Sequence, residues 1–126
     1  MLVAIIVTYN EEDNIERALK SIHGLCPIVV VDSGSTDRTE EICRRYTNYF
    51  LFNPYQSHST QWDWALKNLP VAATWVLALD ADFEVSPGLR ERLAGSLERV
   101  SDDVSGVYVI HRYVFGGSEI DRKSVV

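Results

Sequence analysis

The sequence has little cysteine and no excess of basic residues. Its two cysteines, Cys26 and Cys43, stand far apart, which argues against a disulfide framework and against a paired-cysteine zinc site and favours a reducing, cytoplasmic setting. Twelve Lys and Arg residues face eighteen Asp and Glu residues, for a formal net charge of -6. Because a nucleic-acid-binding surface needs surplus positive charge to neutralise phosphates, we expect no nucleic acid partner.

Long hydrophobic runs are also missing. The first apolar stretch, Met1 to Val7, has no basic residue before it, and it reaches the polar Thr8 well short of signal-peptide or membrane-span length. We therefore interpret it as a buried strand and expect no transmembrane segment. The content of 46% hydrophobic and 24% charged residues is ordinary for a single globular domain with its own core.

Two familiar nucleotide-binding motifs are absent. The chain has neither a Gly-x-Gly-x-x-Gly segment nor a phosphate-loop lysine, so dinucleotide-binding and Walker-type functions are excluded. The three histidines, His23, His58 and His111, have no neighbouring serine or cysteine in a nucleophile motif, and we assign them surface or structural roles.

Apolar runs and amphipathic patterns alternate along the chain. The predicted strands are Leu2–Val7, Ile28–Val31, Tyr49–Phe52 and Trp75–Leu79, with one or two more between Gly106 and Val114. This alternation is typical of βαβ units, so the sequence predicts an α/β fold with a mainly parallel sheet and helices on both faces.

Four helices are predicted after these strands. The first helix has an apolar stripe of Ile15, Ala18, Leu19 and Ile22, and the second begins with the capping-box spacing of Asp37 and Glu40. The third, Thr60–Leu69, has Trp62, Ala65, Leu66 and Leu69 on one face. The fourth begins at Ser86–Pro87 and has an apolar stripe of Leu89, Leu93 and Leu97. The last ten residues carry weak structural signals. We therefore predict a domain over residues 1–116, with a tail or truncation point at 117–126.

Polar residues follow three of the predicted strands. These segments are Thr8-Tyr9-Asn10-Glu11, Asp32-Ser33-Gly34-Ser35 and Asp80-Ala81-Asp82. In an open α/β sheet, ligands bind beyond the carboxyl ends of the strands, so the three segments are expected to converge on one rim.

Each segment admits a functional and a structural interpretation. Asp80 and Asp82 offer two carboxylates of the kind that hold Mg²⁺ or Mn²⁺ beside a diphosphate, or they are solvated loop residues. Asp32 can accept a hydrogen bond from an imide N–H such as uracil N3–H, or it stabilises a turn. Thr8, Tyr9 and Asn10 can line a base pocket, or they form a capped loop.

In order and spacing, the segments Val7 to Glu11, Val30 to Asp37 and Leu79 to Asp82 resemble the nucleotide-binding half of family 2 glycosyltransferases, over roughly residues 1 to 100. Among these enzymes, the bacterial group that builds lipopolysaccharide core and surface polysaccharides is the most similar. The resemblance implies a GT-A fold, incomplete at the carboxyl end. The resemblance also implies a cytoplasmic location, at the inner membrane where sequence outside this chain provides peripheral attachment.

The resemblance also implies roles for the strand-end residues. The nucleoside of a nucleotide-diphosphate sugar, expected to be a UDP-sugar, is held by Thr8, Tyr9, Asn10, Glu11 and Asp32, with Ser33 and Gly34 beside it. Asp82 ligates a divalent cation, Mn²⁺ or Mg²⁺. Asp80 also approaches the cation and, with Ala81, contacts the ribose or sugar side.

Family 2 enzymes invert the anomeric configuration as they transfer a sugar to a glycan or lipid-linked acceptor. Their general base comes from sequence about a hundred residues further along, and Glu119 and Asp121 are the late carboxylates of this chain. A helix residue pair of Gln and a basic residue is common in the family, whereas Trp62 follows Gln61 here. The alternatives are a non-catalytic nucleotide-binding or interaction domain and a sugar nucleotidyltransferase.

Overall fold

A computed structural model of the chain describes residues 1–95 in full and residues 111–115 and 118–122 as backbone. The elements are β1 (Leu2–Thr8), α1 (Ile15–Ile22), β2 (Ile28–Asp32), α2 (Thr39–Cys43), β3 (Tyr49–Phe52), α3 (His58–Lys67), β4 (Trp75–Asp80), α4 (Pro87–Gly95), β5 (His111–Phe115) and β6 (Ser118–Arg122). The four predicted strands are thus confirmed to within one residue at each end.

Strands β1 to β4 form one parallel sheet in the order β3-β2-β1-β4. Thr8 lies beside Asp32, and Asp32 lies beside Phe52, at the carboxyl ends of their strands. On the other side of β1, Val7 pairs with Asp80. The three polar segments therefore leave the sheet at one edge, which we call the rim, as the sequence predicted.

Alternate residues of the central strands face opposite sides of the sheet. Ala4, Ile6, Ile28 and Val30 pack in a cluster with residues of α1 and α2, and Leu89 and Leu93 of α4 pack against it. Val3, Ile5, Val29 and Val31 pack on the other side with Ala65 of α3. Helices thus cover both faces, which confirms the predicted α/β architecture.

Helix α1 buries the four apolar residues that its pattern predicted. Helix α3 differs from the prediction, because Leu66 is 53% exposed while Gln61 and Ala65 are buried. Residues four apart lie on one helix face, and here that face consists of Gln61 and Ala65; Leu66, one position further, turns toward solvent. Leu97 lies outside the described residues.

The predicted capping box of Asp37 and Glu40 is wrong. Helix α2 begins at Thr39, so Asp37 precedes the N-cap residue Arg38, which makes no side-chain capping bond. The Asp37 carboxylate instead accepts from the backbone N–H of Thr39 at 2.9 Å and from that of Glu12 at 3.2 Å. Asp37 therefore links the start of α2 to the loop after β1.

Strands β5 and β6 pair antiparallel in a second sheet, in which Val114 lies opposite Glu119 and Arg112 lies opposite Asp121. Residues 118–122 were interpreted as part of a tail, and the structure places β6 there. Among the helices of the described residues, none combines the length and apolar character needed to cross a lipid bilayer.

Candidate functional site

Two loops of the rim are joined by hydrogen bonds. The backbone N–H of Asn10 donates to Ser35 Oγ at 2.8 Å, and the Asn10 side-chain oxygen accepts from the N–H of Thr36 at 2.8 Å. The backbone N–H of Glu11 donates to Thr39 Oγ1 at 2.9 Å. We call this set of contacts the loop clasp. It uses groups of Asn10 and Glu11, both predicted to hold a nucleoside, to fix the loop after β1 against the loop after β2.

Asn10 reaches these partners because its backbone is left-handed, with φ of 48°. Asparagine tolerates this conformation better than most residues other than glycine. The conformation turns the chain sharply after Tyr9, whose side chain is exposed. Because its ring is exposed and the loop clasp holds the loop that carries it, Tyr9 can contact a ligand at the rim.

Asp32 is buried at the end of β2, with 4% of its surface exposed. Its carboxylate accepts from the backbone N–H groups of Gly34 at 2.9 Å and Ser35 at 2.8 Å, and from the Ser35 hydroxyl. The turn-stabilising role is therefore present. A carboxylate has about four acceptor sites, so these three bonds leave room for one further donor.

Gly34 completes that turn with φ of 110°, a conformation that side-chain-bearing residues rarely adopt. A Cβ atom at this position would lie 3.3 Å from a ring carbon of Phe52. Glycine thus lets the turn form while the ring of Phe52, the neighbour of Asp32 across β2 and β3, packs over it.

The hydroxyl of Thr8 is buried and has no hydrogen-bond partner in the part of the chain that the structure describes. A buried hydroxyl without a partner is costly, by about 1 to 3 kcal/mol. Thr8 is the last residue of β1, between the ends of β2 and β4. An unsatisfied group at this position suits a ligand or an ordered water.

The end of β4 forms a turn in which the N–H of Phe83 donates to the carbonyl oxygen of Asp80 at 3.0 Å. Ala81 is buried in the cluster beneath α1 and α4, so it offers a ligand only backbone groups. Asp82, the next residue of this turn, is exposed. The sequence-predicted carboxylates thus stand at the rim, with Ala81 anchoring the segment that carries them.

Within residues 1–95 and the two described strands beyond them, no cluster of three or more His, Cys, Asp or Glu side chains is placed to hold a metal ion. A magnesium or manganese ion is typically bound by only one or two carboxylates, with phosphate and water oxygens completing its shell. Asp80 and Asp82 supply that donor set. The residues present therefore fit a cation that arrives with a diphosphate.

Gln61 is a rim residue that the sequence interpretation did not assign to the site. Only 2% of its surface is exposed. Its side-chain oxygen accepts from Asn53 Nδ2 at 2.8 Å, and its amide nitrogen donates to Ser33 Oγ and to the carbonyl oxygen of Asn53, both at 3.3 Å. Two signals were available in the sequence: Gln61 stands four positions before Ala65, on the face turned to the sheet, and it matches the Gln that is common in this helix of the family.

Titratable groups around the rim are perturbed for different reasons. Burial acts to raise the pKa of Asp37, but hydrogen bonds from Thr39 and from the N–H of Glu12 outweigh it and hold the pKa below its usual value. Burial, assisted by the charge of Asp32, raises the pKa of the Cys43 thiol to about 12. Cys43 is therefore a neutral core residue.

A depression of about 760 Å³ lies away from the loop clasp, between α1 and the start of α4. Its lining mixes charges of both signs, including Arg17 and Glu84, whose charged groups are 3.8 Å apart. Arg90 crosses it to donate to the carbonyl oxygens of Ser21 at 3.0 Å and His23 at 2.7 Å. These bonds cap the carboxyl end of α1, so the arrangement serves helix packing.

The late carboxylates Glu119 and Asp121 lie on β6. Their side chains are outside the described part of the structure. Both stay predictions for the general base.

Known proteins are similar to this chain, some in sequence and some in fold. The chain is 32% identical over 121 residues to the lipopolysaccharide core biosynthesis glycosyltransferase LpsC of Rhizobium meliloti, covering 91% of this chain and 44% of that protein. It is 34% identical over 94 residues to an uncharacterized glycosyltransferase of Rickettsia bellii, covering 71% of this chain and 30% of that one. The chain thus spans less than half the length of these relatives.

A similar solved structure is that of S. aureus TarS 1-349 in complex with UDP-GlcNAc, with a TM-score of 0.59 and 25% identity over 78% of this chain and 31% of that one. This similarity confirms the predicted GT-A-like fold. The family profile described as Glycosyl transferase family 2 matches residues 3–124. The chain therefore belongs to glycosyltransferase family 2, as its three strand-end segments predicted.

Proposed function

We propose that this chain forms the donor-binding part of a glycosyltransferase that uses a UDP-sugar and a divalent cation. The observation that carries the proposal is the convergence of Thr8, Asp32 and Asp80 at the carboxyl ends of adjacent parallel strands. At that rim lie a buried carboxylate with room for one further donor, a buried hydroxyl that has no partner among the described residues, and two acidic residues.

The nucleoside is assigned to the side of the rim formed by β1 and β2. Asp32 is positioned by its turn contacts to accept from uracil N3–H, whereas cytosine presents an unprotonated N3 to the same carboxylate. The exposed ring of Tyr9 supplies an apolar surface for a base. The buried Thr8 hydroxyl gains a partner when a polar group of the donor enters.

The cation is assigned to Asp82, with Asp80 beside it. When bound, a divalent cation of this kind stabilises the charge that develops on the departing diphosphate, as a Lewis acid. The role of the protein is to present two hard oxygen donors at a fixed place, and the buried Ala81 between them holds that place.

Two comparisons support the donor and the acceptor class. TarS 1-349 has been crystallised with UDP-GlcNAc, which favours a UDP-sugar donor for this chain. The name of LpsC refers to lipopolysaccharide core biosynthesis, which favours a glycan or lipid-linked acceptor. We further propose inverting transfer, with Glu119 or Asp121 as candidates for the base that deprotonates the acceptor hydroxyl.

Calorimetry tests the donor assignment. UDP, CDP, GDP and dTDP are titrated into the chain with and without Mn²⁺, and UDP is expected to bind best and more tightly with the cation. The proposed donor would be refuted if all four nucleotides bound equally well or if none of them bound. A parallel incubation with labelled UDP-sugars and glycan or lipid-linked acceptors reports on transfer. Because the family's general base comes from sequence further along, donor binding with little or no turnover is expected of this chain, whereas robust turnover that is lost on Glu119→Gln or Asp121→Asn would show that the chain carries its own base.

A further inference from the structure

Buried at the rim, the Gln61 amide contacts both Asn53 and the residue that follows Asp32. The carbonyl oxygen of Asn53 lies 3.3 Å from one end of this amide. Because a carbonyl oxygen can only accept, the Gln61 atom that faces it must be the nitrogen. Asn53 Nδ2 then donates to the remaining oxygen at 2.8 Å, which agrees with that orientation.

The same Gln61 nitrogen lies 3.3 Å from Ser33 Oγ. An amide nitrogen can only donate, so the Ser33 hydroxyl accepts at this contact. Ser33 is fixed in turn by its backbone N–H, which donates to the carbonyl oxygen of Thr8 at 3.1 Å. The Ser33 hydroxyl proton is therefore directed away from Gln61, in a residue that is half-buried at the rim.

We propose that Gln61 is a positioning residue, which makes the Ser33 hydroxyl donate to an acceptor oxygen of the bound nucleoside diphosphate. This inference rests on the proposed function and adds a specific donor to it. Ser33 lies on the nucleoside side of the rim, where the carbonyl oxygens of a uracil can only accept, so a hydroxyl whose proton is held outward suits them better than one free to rotate.

A double-mutant cycle tests the proposal by measuring UDP affinity in the presence of Mn²⁺ for the unaltered chain, Ser33→Ala, Gln61→Met and the double variant. Ser33→Ala is expected to weaken binding by up to about tenfold, the size of one neutral hydrogen bond. Gln61→Met is expected to weaken it severalfold alone and to have almost no further effect in the Ser33→Ala background. Ser33→Thr, which keeps the hydroxyl, is expected to retain most of the affinity.

A purely structural role for Gln61 predicts a different pattern. Gln61→Met would then lower affinity by the same factor in both backgrounds, and that additive result would overturn the proposal, as would unchanged affinity in Ser33→Ala. Absence of UDP binding by the unaltered chain would instead refute the proposed function itself.

Because Gln61→Met leaves Asn53 without its partner, the free energy of unfolding is measured alongside. Gln61→Glu provides a second route if Gln61→Met does not fold. Its carboxylate accepts from Ser33 and turns the hydroxyl proton inward, so it is expected to match the loss seen for Ser33→Ala. Retention of full affinity in Gln61→Glu would contradict the proposal.

Discussion

The hydroxyl of Thr39 accepts from the backbone N–H of Glu11 at 2.9 Å and donates to the carboxylate of Asp37. Thr39 is fully buried at the first position of α2. One side chain thus connects the loop after β1 to the helix after β2, twenty-eight positions apart in the sequence. The geometry of the rim depends on it.

Replacing Thr39 with valine, which has nearly the same shape, is expected to lower the free energy of unfolding by about 1 to 3 kcal/mol, because the Glu11 N–H loses its partner. Urea unfolding measures the change. Thr36→Val is the matched control, since the Thr36 side chain is exposed, and it should stay within about 0.5 kcal/mol of the unaltered chain. Equal effects of the two substitutions would show that the Thr39 bonds contribute little.

Gly34→Ala is expected to destabilise the chain by more than about 1 kcal/mol, because the backbone at φ of 110° is strained for alanine and the new methyl group meets Phe52. Gly88 is the control. A Cβ atom there meets nothing within 4 Å, and alanine is the better helix former by about 1 kcal/mol. Thermal unfolding should therefore show opposite signs for the two substitutions, and a neutral Gly34→Ala would contradict the assigned turn.

UDP is expected to bind more tightly than CDP by about 1 to 3 kcal/mol, because Asp32 can accept from uracil N3–H but not from cytosine N3. Calorimetry in the presence of Mn²⁺ measures the difference, and Asp32→Ala is expected to remove it. Asp32 also holds the turn at Gly34 and Ser35, so both affinities should fall in this variant. If the preference for UDP survived Asp32→Ala, the base contact would have to be reassigned.

Asp82→Ala is expected to abolish the Mn²⁺-dependent part of UDP binding and to leave stability nearly unchanged, since the side chain is exposed. Asp80→Ala should have the smaller effect. Glu84→Ala is a suitable control, because this nearby carboxylate is exposed and its one ion pair among the described residues is a long one, with Arg17 at 3.8 Å. Affinity for UDP that does not respond to Mn²⁺ in the unaltered chain would remove the cation site before any variant is tested.

Cys43 is expected to resist thiol reagents in the folded chain, because burial raises its pKa to about 12 and leaves it protonated at neutral pH. A thiol with a raised pKa contributes stability below its unfolded pKa, and this contribution is lost as pH rises through the folded value. The rate at which a thiol reagent labels Cys43 is measured at pH 8 in a Cys26→Ser variant, with and without urea, and labelling of the folded chain is expected to be much slower. Equal rates in both conditions would contradict the assigned burial.

The strands were predictable because a central parallel strand covered on both faces must be apolar throughout, as Val29, Val30 and Val31 are. The polar residues that directly follow these apolar runs mark the carboxyl ends of the strands, and they therefore predicted the position of the rim. The partners at the rim were not predictable. Asn10 and Thr36, or Gln61 and Ser33, are twenty-six and twenty-eight positions apart, and no local pattern encodes such a bond.

Two local errors share a physical cause. The pattern of α3 was interpreted by hydrophobicity alone, so Leu66 was placed inward, whereas the polar Gln61 is buried because Asn53 and Ser33 satisfy its amide. The spacing of Asp37 and Glu40 suggested a cap, but Asp37 makes its bonds with Thr39 and Glu12 instead. In α3, tertiary hydrogen bonds outweighed the hydrophobic pattern, and at Asp37 a local bond from Thr39 together with a tertiary bond from Glu12 took the place of the predicted cap.

Strand β4, which carries Asp80 at its end, is mostly half-buried, whereas β2 is buried throughout. Local opening should therefore cost less free energy at β4 than at the centre of the sheet, and its backbone amides should exchange with deuterium sooner. A ligand held at Asp80 and Asp82 binds only the closed form, so its binding free energy adds to the cost of opening, by about 2.7 kcal/mol at a hundredfold excess over Kd. Binding of a ligand at the rim should therefore slow the exchange of the backbone amides along the whole length of β4.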